Sequence, residues 1–178
     1  MSAAVSAALE FAERSPASTR TRVITWQDPL PTAAAGAELA GLDYMRAVAA
    51  ADLPPPPIAV LLRMAPVEIE DGRVVFEGEP GEEHYNPIGV VHGGYAVTLL
   101  DSAIGCAVHT TLPAGVGYST LTLEAKFVRA ITRETGIVRC EAEVLHRGRR
   151  QATATGRVVD ASSGKLLAHG SGTCLIRR

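Results

Sequence analysis

Asp101 is the residue whose position most needs explaining. It lies inside the run Gly93 to Thr110, which reads as a long and otherwise apolar helix ending before Pro113. It is too far along that helix to cap it or to draw on the N-terminal dipole. With Gly94, Thr98, Ser102, Gly105 and His109 it forms a polar or small stripe on an otherwise apolar surface. Such a stripe either faces water or lines a cleft against a second subunit, its glycines admitting a ligand or a partner backbone. Just upstream stands Asn86-Pro87-Ile88-Gly89-Val90-Val91-His92-Gly93-Gly94. Two glycines at a helix start leave amide N–H groups uncluttered, in the positive end of the dipole. A developing oxyanion needs donors of that kind, aimed before the reaction begins. The plainer alternative is that the glycines only relieve crowding. His92 is then a cap, a positioning group or a filler.

Other chemistries find less support. Ser102 follows Asp101 but no GxSxG elbow surrounds it, which argues against a serine hydrolase. Cys106, Cys140 and Cys174 form no CxxC pair and read as small core residues. His84, His92, His109, His146 and His169 have no ligand spacing, so no metal and no cofactor is expected. Gly115-Val116-Gly117 lacks the rest of a nucleotide fingerprint. The formal net charge is −2 over 178 residues, with no basic footprint for a nucleic acid. No apolar run reaches the ~18 residues of a membrane span. The N-terminus has no basic patch followed by an apolar stretch, and the expected location is cytoplasmic.

The elements that must hold these residues are legible from periodicity. Residues 1–36 read as an extension with weak local order, and residues 37–51 as a short amphipathic helix. Pro54 to Pro57 end that helix and force an extended link, so residues 1–57 form an N-terminal extension and 58–178 one domain. The stretch MAPVEIEDGRVVFEGE reads as a hairpin turning at Asp71–Gly72. Beyond the long helix, 117–129, 137–146, 151–160 and 166–176 alternate as strands, suggesting an antiparallel meander. In the first of them, parity puts Ser119, Leu121, Leu123, Ala125 and Phe127 on one inward face. The faces of the last two are built from small residues (Ala152, Ala154, Gly156, Ala168, Gly170, Gly172), able to curl closely around a helix. The expected class is α+β: a curved antiparallel sheet wrapped around one central helix, the hotdog arrangement.

The stretch HYNPIGVVHGGYAVTLLDSAIG resembles the PaaI-type branch of hotdog acyl-CoA thioesterases, in which Asn, His-Gly-Gly and a helix Asp recur at this spacing. The resemblance continues through GYSTLTLEAKFVRA, HRGRR and SSGKLLAHGSGTCLI, over about residues 58–176. It implies that Asp101 activates water as a general base or attacks the thioester as nucleophile. It implies that the Gly93 N–H polarises the carbonyl, that Asn86 assists or holds the water, and that His92 orients substrate or loop. Ser119 occupies a position where this branch often has Ser or Thr near the carboxylate. Gly94 and Thr120 are candidates for substrate binding, and Arg147, Arg149 and Arg150 for the phosphates of CoA. The implied assembly is a homodimer sharing its active sites, with pairing of dimers into a homotetramer left open. Two alternatives stand beside hydrolysis. One is an acyl-CoA-binding hotdog protein without turnover. The other is a hotdog enoyl-CoA hydratase, although His84 stands where that enzyme would carry an Asp.

Overall fold

A computed structural model describes residues 4–6, 9–10 and 19–177. The long helix is present as Gly93–Thr110 and is apolar on all but one side. Leu99, Leu100, Ala103, Ile104, Ala107 and Val108 are wholly buried, and removing the side chain of Leu100 or Ile104 would cost about 2–5 kcal/mol. They are covered by six antiparallel strands: β1 (Met64–Glu70), β2 (Arg73–Gly78), β3 (Gly117–Phe127), β4 (Val138–Arg147), β5 (Gln151–Asp160) and β6 (Leu166–Arg177). Their order across the sheet is β1-β2-β4-β5-β6-β3. This is the hotdog fold, with the sheet curled around the helix. Small residues permit the curl. A Cβ at Gly156 would stand 3.0 Å from a Leu100 methyl, and one at Gly172 would stand 3.1 Å from Ile104.

Strand order departs from the expected meander. Of the four strands after the helix, only β4, β5 and β6 follow one another as neighbours, whereas β3 crosses to the far edge and pairs with β6. Alternating hydrophobicity says that a segment is a strand but not which edge it joins. The first hairpin forms as expected: Glu70 pairs with Arg73, and Gly72 takes a left-handed φ of 76°. Its Gly72 N–H donates to Thr110 Oγ1 at 2.8 Å, tying the turn to the helix end.

The extension is more structured than expected. With the numbering α1 (Pro29–Ala37), α2 (Gly41–Ala49), α3 (Pro57–Leu62) and α4 for the long helix, three short helices lie between residue 29 and β1. The missed start of α1 carries its own signal: the Asp28 carboxylate accepts from the Leu30 N–H and Pro29 opens the first turn. The last of the four prolines likewise begins α3, so the extended link is shorter than expected. The sheet leaves one side of α4 uncovered between its edge strands β1 and β3, and α2 packs over the C-terminal part of that gap.

Candidate active site

The Asn86 loop is braced from within. Asn86 Oδ1 accepts from the N–H groups of Ile88 (3.1 Å) and Val90 (3.3 Å), and the Asn86 N–H donates to the Val90 carbonyl at 2.8 Å. This leaves the Asn86 amide nitrogen as its remaining donor. His92 is the N-cap of α4, its Nδ1 accepting from the Gly94 N–H at 2.8 Å. With Nδ1 acting as acceptor, the proton of the neutral ring sits on Nε2. The Tyr95 N–H is also taken, by the His92 carbonyl at 2.9 Å. The Gly93 N–H between them donates to no group among the described residues. Asn86, His92 and Gly93 share the wall of a cavity of about 440 Å³ with Phe127 and Arg129. A Cβ on Gly93 would stand 3.0 Å from the Phe127 ring, so glycine keeps this approach open.

Asp101 lies farther along the same helix. Its Oδ1 accepts from the Thr120 hydroxyl at 2.8 Å, the carboxylate being half-buried and Thr120 exposed. Gly93 and Asp101 are eight residues apart, which is ~12 Å of helix rise. One carbonyl group cannot touch both within a single chain. The stripe from Gly94 through Thr98 and Asp101 is open in the gap between the sheet edges, so a second copy has access to it.

The expectation for Ser119 is corrected. The register of β3 against β6 shifts between Thr120 and Thr122, placing a bulge at Leu121. Before the bulge, Tyr118 and Thr120 lie opposite the buried Ile176 and Cys174 and share their face; after it, Leu123 and Ala125 take over. Ser119 therefore lies on the outer face, where its hydroxyl accepts from Arg177 Nε at 3.1 Å, and Leu121 is 48% exposed. Thr120 occupies the place beside Asp101. The Arg147, Arg149 and Arg150 turn lies at the end of the sheet level with Ser119, away from the Gly93 cavity within one chain. Arg129, which sequence reasoning passed over, stands at that cavity's lip with Nη1 donating to the Leu166 carbonyl at 2.6 Å.

Burial pushes the Cys106 and Cys140 thiols up to about 12, which keeps both protonated near neutrality. His84 is turned inward, its Nδ1 accepting from the Gly81 N–H at 2.9 Å and its ring 5.0 Å from that of Tyr95. Among the described residues no three His, Cys, Asp or Glu side chains converge as a metal site, and no helix is long and apolar enough to cross a membrane.

Comparison with known proteins agrees with this architecture. Residues 88–167 match the thioesterase superfamily model. Human acyl-coenzyme A thioesterase 13 is 31% identical over 114 residues, covering 64% of this chain and 80% of the relative. Among solved structures, a phenylacetic acid degradation-related protein from Ralstonia eutropha is 28% identical with a TM-score of 0.67, over 74% of this chain and 98% of that one. The PaaI protein from the phenylacetic acid degradation operon of E. coli has a TM-score of 0.66 at 20% identity, over 79% of this chain and 96% of that one, and is similar in fold. A hotdog sheet around one helix, the family match and a relative aligned over most of its length lead to one conclusion: this chain belongs to the thioesterase superfamily and is a thioester hydrolase.

Proposed function

We propose that the chain hydrolyses acyl-CoA thioesters as a homodimer, each site formed by the Gly93 end of one subunit and Asp101 of the partner subunit. The observation that carries this is the Gly93 N–H, without a partner among the described residues, at the positive end of α4 and on the wall of a cavity of about 440 Å³. A thioester carbonyl oxygen placed there accepts that N–H and gains more from it as negative charge develops. Asn86 has its amide nitrogen left to donate to the same oxygen or to a water. His92 contributes by capping, which fixes the direction of the Gly93 N–H.

Asp101 supplies the base or the nucleophile. The Thr120 hydroxyl holds Oδ1, leaving Oδ2 for the chemistry. On the base route Oδ2 takes a proton from water, the hydroxide adds to the carbonyl carbon, and the C–S bond breaks as the oxyanion collapses. On the nucleophilic route Oδ2 adds directly and water then cleaves the resulting anhydride. In both, CoA leaves as thiolate without needing prior protonation, so the reaction calls for no metal and no cofactor. For the CoA phosphates, Arg129 at the cavity lip joins Arg147, Arg149 and Arg150 as a candidate.

The test is CoA release from a panel of acyl-CoA thioesters by wild type and Asp101→Asn. Asn keeps the shape and removes the basicity. Wild-type turnover with a loss of about 10²–10⁴-fold in kcat in a folded, oligomeric variant is the expected result. Acyl-CoA binding without thiol release by the wild type would replace hydrolysis with the binding-protein reading.

A further inference from the structure

The sheet leaves α4 uncovered between β1 and β3, and the N-terminal extension roofs only part of that gap. Beneath the roof lies a second cavity of about 270 Å³. Its roof is Tyr44, Met45 and Val48 of α2 with Pro55 and Pro56 of the link; its floor is Cys106 and His109 of α4. Met64 of β1, Phe76 of β2 and Tyr118 of β3 close the sides. Among the described residues no Asp, Glu, Lys or Arg lines it. Tyr44, Phe76 and Tyr118 gather here although the chain has only four tyrosines and three phenylalanines. His109 links two of them, its ring centroid 5.4 Å from that of Tyr44 and 5.4 Å from that of Tyr118.

The cavity begins about one helical turn beyond Asp101, with the Tyr118 ring standing between the two. Tyr118 lies two residues before Thr120 on the same face of β3, and its ring fills the space a Cβ on Gly105 would need. Gly105 is one helical turn beyond Asp101, and Cys106 begins the cavity floor ~7.5 Å along the helix from it. An acyl chain whose carbonyl carbon meets Asp101 and that runs along α4 toward its C-terminal end reaches this apolar chamber by displacing or passing the Tyr118 ring. An apolar cavity of ~150 Å³ takes one benzene, so 270 Å³ takes about six to ten carbons. Aromatic walls and two flexible methionines suit an aryl or a short aliphatic group equally.

We infer that this chamber is the acyl pocket and that the N-terminal extension, through Tyr44 and Val48, is the element that limits acyl length. The inference rests on the thioesterase reading above. The substrate class that follows is a compact, uncharged acyl group of about six to ten carbons, aromatic or aliphatic. Val48 is half-buried on the roof, so Val48→Trp shortens the chamber, and Tyr44→Ala opens it.

The experiment measures kcat/KM for butyryl-, hexanoyl-, octanoyl-, dodecanoyl-, palmitoyl- and phenylacetyl-CoA with wild type, V48W and Y44A. The wild type is expected to favour the hexanoyl, octanoyl and phenylacetyl substrates. In V48W the octanoyl-to-butyryl ratio falls about 10-fold or more, since one methylene in an apolar pocket is worth that much. In Y44A the dodecanoyl-to-octanoyl ratio rises. Unchanged ratios in both variants, with the wild type active, would overturn the pocket and leave the thioesterase reading standing. If the wild type releases no CoA from any thioester, the thioesterase reading falls, and affinity for a non-hydrolysable octyl-CoA thioether then decides. A V48W loss on octyl-CoA that exceeds its loss on CoA supports the pocket; equal affinities for octyl-CoA in wild type and V48W overturn it.

Discussion

His109 ends the stripe that Asp101 begins, and burial between Tyr44 and Tyr118 lowers its pKa below the ordinary 6.5. The titratable groups packed around it, Tyr44, Tyr118 and Cys106, all have raised values and stay neutral through the acid range. Above pH 6.5 His109 is neutral in both folded and unfolded chains and costs nothing. As pH falls below about 6.5 the unfolded chain takes up a proton that the folded one resists, and stability declines until the lower folded value is passed. Below that point the penalty is constant. Thermal melts of wild type and His109→Gln from pH 8 to pH 4.5 should therefore diverge in slope below pH 6.5, the wild type losing more. Parallel curves would show that His109 is not the group responsible. At this scale the sequence singles out His92, Gly93 and Asp101 as candidates by the motif that they share. It misled at Ser119, because parity counting assumes an unbroken ladder, and one extra residue at Leu121 hands the inward place to Thr120.

The elements were legible in proportion to the strength of their periodicity. The helix α4 announces itself by an apolar surface with one polar stripe, and the Asp71–Gly72 hairpin by its turn residues. Strand order was not legible, since nothing in β3 says that it pairs with β6 rather than β4. Nor was the packing of the extension, whose α2 has an amphipathic face but no sequence signal for the gap it covers. Among the described residues before α1, Arg20 pairs with Glu82, and Arg22 donates to the Val60 (2.9 Å) and Leu61 (3.1 Å) carbonyls and pairs with Glu83, all at the surface. None of these contacts reaches Gly93 or Asp101, and Gly41, which starts α2, is fastened separately by its N–H to the Leu112 carbonyl at 2.9 Å. Removal of residues 1–36 is accordingly expected to leave CoA release within about threefold of wild type while lowering stability by about 1–2 kcal/mol. A folded, oligomeric truncation with turnover reduced a hundredfold would place part of the site in the extension's first half.

For the whole molecule the decisive quantity is the ~12 Å between Gly93 and Asp101 along one helix. It divides the proposed site between two chains, and edge strand β3, with Leu121 and Phe127 exposed, offers the surface on which a second copy can pair. Two variants each disable one half of the site. Gly93→Pro removes the N–H in question at the first helical position, where proline is tolerated after the extended His92 backbone (φ −59°, ψ 135°), and its Cβ, 3.0 Å from the Phe127 ring, also narrows the approach to that half of the site. Asp101→Asn removes the carboxylate. Each alone should be nearly inactive as a homodimer. Mixed in equal amounts, unfolded and refolded together, half of the dimers contain both chains. In each of these, the Asn-bearing chain's Gly93 faces the proline-bearing chain's Asp101, and the other site carries both lesions. Activity should thus return to about a quarter of the wild-type value. If each site instead lay within one chain, every site in the mixture would carry a lesion and no activity would return. Recovery on mixing is therefore the outcome that only a shared site produces.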